Sequence, residues 1–190
     1  MVVVANRGGK EMRKQFAVVA VGCLTLGLLA GLGSAQDKAA RPSPAAKASC
    51  DLGGGKTVNV DYSSPRMKGR KVFGELVKYG EPWRTGANEA TTFVTTSDVM
   101  VGGSHVPAGS YTLFTVPDKD KWTLIISKKT GEWGIPYPGA DQDLVRVDMK
   151  ASSVAAPVEN FTIAFDKAAG GCALRIEWDK TRATVNISKM

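Results

Sequence analysis

The chain has 190 residues, a formal net charge of +7 and a single histidine. That length suits one folded domain with a sizeable core. The basic residues are interspersed with acidic ones, and no Lys/Arg block is present to grip a phosphate backbone, so a nucleic-acid partner is not expected. One histidine also leaves little room for a Ser-His-Asp or Cys-His catalytic arrangement.

Residues 1–14 carry Arg7, Lys10, Arg13 and Lys14 against Glu11, and residues 16–32 form an uncharged apolar run. Gly33-Ser34-Ala35 then places small side chains before Gln36, which is the order of a cleaved secretory signal peptide over residues 1–35. A retained anchor is the rival reading, although the Gly/Ala-rich run is marginal for a hydrocarbon core of roughly 30 Å. A lipoprotein site at Cys23 is weaker still, because the apolar run continues past the cysteine. Cleavage takes the net charge from +7 to +4, since four basic residues and one acidic residue leave. The expected location is periplasmic or secreted, with no stable membrane span after cleavage.

Residues 36–49 (QDKAARPSPAAKAS) have no large apolar side chain and read as a flexible tether, leaving residues 50–190 as the folded domain. Cys50 and Cys172 survive processing, and an even count in an exported chain points to a disulfide. Closing that long a loop stabilises by roughly 4–5 kcal/mol at most. Free thiols or pairing with a partner are the alternatives. Neither cysteine has a second ligand at metal spacing, so neither a metal nor another cofactor is expected.

Further along, apolar and polar residues alternate at Val58, Val60 and Tyr62, at Val145, Val147 and Met149, and at Phe161, Ile163 and Phe165. The pattern recurs at Cys172, Leu174, Ile176 and Trp178, and again at Ala183, Val185 and Ile187. Period-two alternation means strands with one packed and one wet face. Gly102-Gly103 marks a tight hairpin, Pro107-Ala108-Gly109 and residues 117–121 mark turns, and residues 168–171 and 179–182 read as the last hairpin turns. A short helical turn within residues 68–77 is the most helix the pattern allows. The expected fold is all-β: a single antiparallel β-sandwich or jelly-roll-like domain of about nine short strands.

Several motifs fail on mechanism. Residues 53–57 (GGGKT) resemble the end of a phosphate loop, but Cys50 stands where its first glycine belongs and a strand follows. Asp118/Asp120 and Asp141/Asp143 do not continue as calcium loops and read as solvated turns. The sequons at Asn160 and Asn186 fall in predicted strands, and His105 reads as an exposed strand residue. No catalytic residue is assigned.

Long loops on a rigid β scaffold are where binding would sit. Residues 80–90 (GEPWRTGANEA) concentrate Trp83, Arg84, Asn88 and Glu89, which together offer a flat apolar face, a planar donor fork, an amide and a carboxylate. Such a set could recognise a sugar or a carboxylate. The opposing reading pairs Arg84 with Glu89 or Glu81, caps a turn with Asn88 and anchors Trp83 in the core. Residues 131–139 (GEWGIPYPG) present Trp133 and Tyr137 on a proline-stiffened loop, either as a stacking platform or as aromatics packed on the sandwich end.

Residues 65–74 (PRMKGRKVFG), 83–91 (WRTGANEAT) and 107–114 (PAGSYTLF) resemble the bacterial exported family known as domain of unknown function 2911. The resemblance runs from about Val58 to Ile187 and implies a compartment and a domain extent, not a chemistry; Lys78 stands where a proline is expected before Tyr79. The leading functional expectation is a non-enzymatic exported binding module for a glycan or small polar ligand. A structural or assembly protein of the cell envelope is one alternative. A hydrolase using carboxylates among Glu75, Glu81 and Glu89 is the other.

Overall fold

A computed structural model describes residues 40–190. The segment at 1–35 expected to be a signal peptide, with Cys23, and the first residues of the expected tether lie outside the described residues. Among the described residues nine strands are present: β1 (Ala45–Gly53), β2 (Lys56–Ser63), β3 (Thr91–Thr95), β4 (Val99–Val101), β5 (Ser104–Val106), β6 (Gly109–Val116), β7 (Lys121–Ser127), β8 (Asp143–Ala168) and β9 (Gly171–Lys189). One short 3-10 turn spans Ala140–Gln142. The strands form a single antiparallel sheet in the order β1-β2-β3-β6-β7-β8-β9-β4-β5, so the all-β expectation holds.

The first strand corrects the tether reading. Ala45 to Ser49 pair with Ser63 to Asn59 of β2, so the folded domain begins inside the segment expected to be flexible. Small side chains did not prevent this, because the ladder is made by backbone groups. Cys50 and Leu52 then bury that strand's far end, and Ala46 and Ala48 pack on the core. The β1–β2 turn has Gly53, Gly54 and Gly55 all at positive φ, a hairpin and not a phosphate cradle.

The sheet curls until β1 lies against β9, and Cys50 and Cys172 are joined by a disulfide across that contact, with their Cα atoms 6.3 Å apart. Tyr62 Oη donates to the Ile163 carbonyl at 3.3 Å and accepts from the Ile163 amide at 3.1 Å, tying β2 to β8 in the same closure.

Residues 179–182 are not a hairpin turn. They are a bend inside one continuous strand, where Asp179 takes φ 51° and sits opposite Val158 at a register shift. Buried positions change phase there, from Leu174, Ile176 and Trp178 to Ala183, Val185 and Ile187. A straight strand would hold Gly171 and Ile187 roughly 50 Å apart. Instead a Cβ on Gly171 would lie 2.1 Å from the Ile187 carbonyl oxygen, so β9 doubles back on itself. Arg182 and Arg175 both donate to Glu177, a carboxylate that is 7% exposed, and brace the bend.

Residues 68–77 contain no helix; Phe73 and Val77 instead form an isolated bridge. The buried core gathers Val58, Val60, Phe93, Leu113, Trp122, Leu124, Leu174 and Trp178. Phe114 and Ile125 face one another across β6 and β7, are fully buried and lie outside that core cluster. The 131–139 loop covers them from the other face, with Tyr137 edge-on to Phe114 at 5.1 Å.

Candidate functional site

Both candidate loops are delivered to one stretch of β6. Thr91, where the first loop ends, pairs with Leu113, and Ser127, where the second begins, pairs with Thr112. They meet directly: the Ala90 amide donates to the Glu132 carbonyl at 3.3 Å. A Cβ on Gly134 would stand 2.9 Å from Ala90 Cβ and 3.0 Å from Arg84 Cβ, so only glycine allows this approach.

The first loop is rigidly held. Trp83 exchanges backbone hydrogen bonds with Thr115 at 2.8 and 2.9 Å, and its indole N–H donates to the Gly86 carbonyl at 3.1 Å. Its ring stacks on Trp178 with centroids 6.0 Å apart and meets Phe161 edge-on at 5.0 Å. Thr85, at φ 53°, shares a 3.1 Å hydroxyl contact with Thr115, and its carbonyl accepts from the Thr91 hydroxyl at 2.8 Å. Trp83 thus packs, partly buried, against the core and anchors the loop there.

Asn88 and Glu89 turn away from Arg84. Asn88 Nδ2 donates to the Ser43 carbonyl at 3.0 Å, and the Glu89 carboxylate takes both its oxygens to Arg41 Nη1 at 2.8 and 3.0 Å. These two residues strap down the chain just ahead of β1. The four polar-loop candidates therefore do not converge on one point.

Arg84 is different. Its Nε and Nη1 are buried and donate to nothing. Neither Glu81 nor Glu89 forms an ion pair with it; Glu89 pairs with Arg41. Burial lowers the guanidinium's pKa, and no acidic group opposes that shift. The Trp133 ring faces it, with the guanidinium carbon 5.7 Å from the ring centroid. Trp133 is 54% exposed. Glu132, beside it, has Oε1 buried without a hydrogen-bond partner.

Tyr137 belongs to a separate cluster. Its hydroxyl donates to Asp143 Oδ1 at 2.5 Å and accepts from Arg146 Nη2 at 3.0 Å. Burial, and then the Asp143 carboxylate, raise its pKa. Asp143 is therefore not the solvated turn aspartate expected from the sequence: it opens β8, and its side chain is 7% exposed and ion-paired with Arg146. His105 is an exposed strand residue paired with Asp98 at 2.9 Å. No cluster of three or more His, Cys, Asp or Glu side chains able to hold a metal occurs among the described residues.

The structure thus brings Arg84 and Trp133 together from two loops and sends Trp83, Asn88, Glu89 and Tyr137 elsewhere. Glu132 was not singled out in sequence. A lone carboxylate beside a tryptophan in a Gly/Pro-rich loop reads as solvated, and only its buried, partnerless oxygen marks it.

A family model described as protein of unknown function (DUF2911) matches residues 43–187. The chain belongs to this family. The match begins where Ser43 is strapped by Asn88 and ends at Ile187, beside the Gly171 contact, so the DUF2911 region coincides with the curled sheet and its closure. No curated protein and no solved structure matches the chain.

Proposed function

We propose that this DUF2911 protein is an exported, non-enzymatic binding module for a glycan or small polar ligand, and that Arg84 and Trp133 form its ligand-contacting surface. The observation that carries this reading is the Arg84 guanidinium, whose Nε and Nη1 nitrogens are buried and donate to nothing. A charged group taken out of water without partners is costly, and binding surfaces are where such groups persist. Trp133 beside it supplies an exposed flat face of the kind on which sugar rings stack.

The export part of the reading rests on the N-terminal sequence and on the disulfide, which belongs to an oxidising compartment. No helix among the described residues is long and apolar enough to cross a membrane. The carboxylate-hydrolase alternative gains no support, because Glu75 pairs with Lys71 and Glu89 with Arg41. Nothing specific favours an assembly role.

A thermal-shift screen of cell-wall glycans and small carboxylates tests the proposal. A ligand that raises the melting temperature of the wild type but not of Arg84→Ala and Trp133→Ala supports it. If no probe shifts the wild type more than these variants, the reading fails.

A further inference from the structure

Residues 65–81, which follow β2, carry five basic residues, Arg66, Lys68, Arg70, Lys71 and Lys78, against Glu75 and Glu81. The fold gathers what the sequence intersperses. Lys68 and Gly69 both take positive φ, and Arg70 donates from Nε to the Met67 carbonyl at 3.0 Å and from Nη2 to the Arg66 carbonyl at 2.7 Å, which closes a tight turn. Arg66 Nη1 donates to the Ser64 carbonyl at 2.8 Å and to its hydroxyl at 2.7 Å. These acceptors are neutral and leave both charges uncompensated. Glu159 reaches the turn, but its carboxylate accepts from the Lys68 amide at 2.8 Å. Among the described residues these five cations form one ion pair, Lys71 with Glu75 at 3.4 Å, between side chains that are both more than half exposed, where such a pair is weak.

The same segment displays two apolar side chains. Val72, Phe73 and Val77 are buried, and Phe73 meets Trp122 edge-on at 4.9 Å. The Val77 amide donates to the Val72 carbonyl at 2.9 Å and the Gly74 amide to the Val77 carbonyl at 2.8 Å, so the base is fixed. Leu76 and Tyr79 are left facing solvent, 44% and 39% exposed. The Tyr79 ring packs on Gly74, where a Cβ would lie 2.9 Å from its Cε2. The Lys71–Glu75 contact sets the cationic turn beside Leu76.

Cations and apolar groups shown side by side on a rigid base match one kind of surface. A soluble polyanion answers the cations and gives Leu76 nothing. A bilayer with anionic headgroups answers both: Lys and Arg stay among the headgroups, while a leucine and an amphipathic tyrosine ring enter the boundary with the acyl chains.

We propose that residues 66–79 form a peripheral membrane contact, with Arg66, Lys68, Arg70, Lys71 and Lys78 against anionic phospholipid headgroups and Leu76 and Tyr79 in the interface. The proposal goes beyond the binding-module reading and draws on neither Arg84 nor Trp133. Arg66 is half-buried and every other group in it is exposed, so the contact needs no rearrangement.

The test is co-sedimentation of the chain from Gln36, which keeps every strand and the disulfide, with vesicles of phosphatidylcholine alone and with vesicles that also contain phosphatidylglycerol. Affinity for the phosphatidylglycerol vesicles should be at least tenfold higher, and should fall at least tenfold as salt rises from about 0.1 to about 0.5 M. Lys68→Glu/Lys78→Glu should remove binding, Leu76→Ser/Tyr79→Ser should weaken it at least threefold, and Lys129→Glu, on another loop, should change nothing. Should the double apolar variant fail to fold, Leu76→Ser alone carries the same discrimination.

Equal affinity for the two kinds of vesicle, or none for either, overturns the proposal. Vesicle binding undiminished by the apolar substitutions overturns it too, and equally tight binding of soluble dextran sulfate would then mark the turn as a contact for polyanions in general. If Lys68→Glu/Lys78→Glu binds as the wild type does, the contact lies elsewhere on the protein and the assignment to this turn is wrong.

Discussion

Replacing Arg84 with methionine should stabilise the protein while abolishing its ligand response. The side chain contributes a stem packed beside Gly134 and a guanidinium with two buried, partnerless nitrogens. Methionine keeps most of the stem and removes the charge. A buried polar group left unsatisfied costs about 1–3 kcal/mol, and more when charged. The contact with the Trp133 ring returns about 0.5–1 kcal/mol at a partly exposed site. The difference leaves a net gain of about 1–2 kcal/mol for Arg84→Met. In a domain of this size each kcal/mol moves the melting temperature by about 2–4 °C, so the rise should be about 2–8 °C. Urea unfolding with the disulfide intact, followed by circular dichroism, measures the same quantity as a raised midpoint at unchanged slope. If Arg84→Met instead lowers the midpoint by the equivalent of 1 kcal/mol or more, the guanidinium is satisfied within the fold, and the argument for a ligand there collapses.

Other substitutions probe the frame around the site. Cys50→Ala/Cys172→Ala opens a closure spanning 122 residues of sequence and should lose up to about 5 kcal/mol in chemical denaturation; a loss under 1 kcal/mol would show that the curl is held by packing alone. Gly171→Ala drives a Cβ into the Ile187 carbonyl and the Ser188 Cα, both backbone atoms with little freedom to yield, and should destabilise by about 2–3 kcal/mol; an unchanged melting temperature would contradict the doubled-back β9. Asp98 accepts from the Ala108 amide and pairs with His105, which holds its pKa below the ordinary carboxylate value. Its contribution is therefore present above the unfolded value near about 3.9 and fades as pH falls through the lower folded one. The gap in melting temperature between wild type and Asp98→Asn should accordingly close towards about pH 2; a gap constant with pH would mean that the charge plays no part.

The fold was legible where one face of a strand is packed and the other is wet. Val58, Val60 and Tyr62 announce β2, and Gly102-Gly103 announces the β4–β5 turn, because both depend on local side-chain chemistry. Ala45 to Ser49 were not legible, since backbone pairing with β2 holds them and their side chains contribute little. Asp179 was misleading: a polar residue at positive φ looks like a hairpin turn, whereas the β8–β9 ladder continues through it. The site was legible in its parts and not in its assembly. Arg84 and Trp133 stand out by residue type, but their meeting depends on β6 pairing with both β3 and β7, a non-local register. Asn88 and Glu89 looked equally chemical, and their partners Ser43 and Arg41 lay in a segment expected to be unstructured.

The most direct test of the central claim is nuclear magnetic resonance of the Arg84 Nε–H and the Trp133 indole N–H during titration with the cell-wall glycans and small carboxylates of the thermal-shift screen. The account predicts that both resonances move together and saturably, while the Trp83 and Trp178 indoles, held in the core, stay fixed. If the Arg84 and Trp133 signals remain unmoved, or if the shifts fall on another face of the sheet, the account is contradicted.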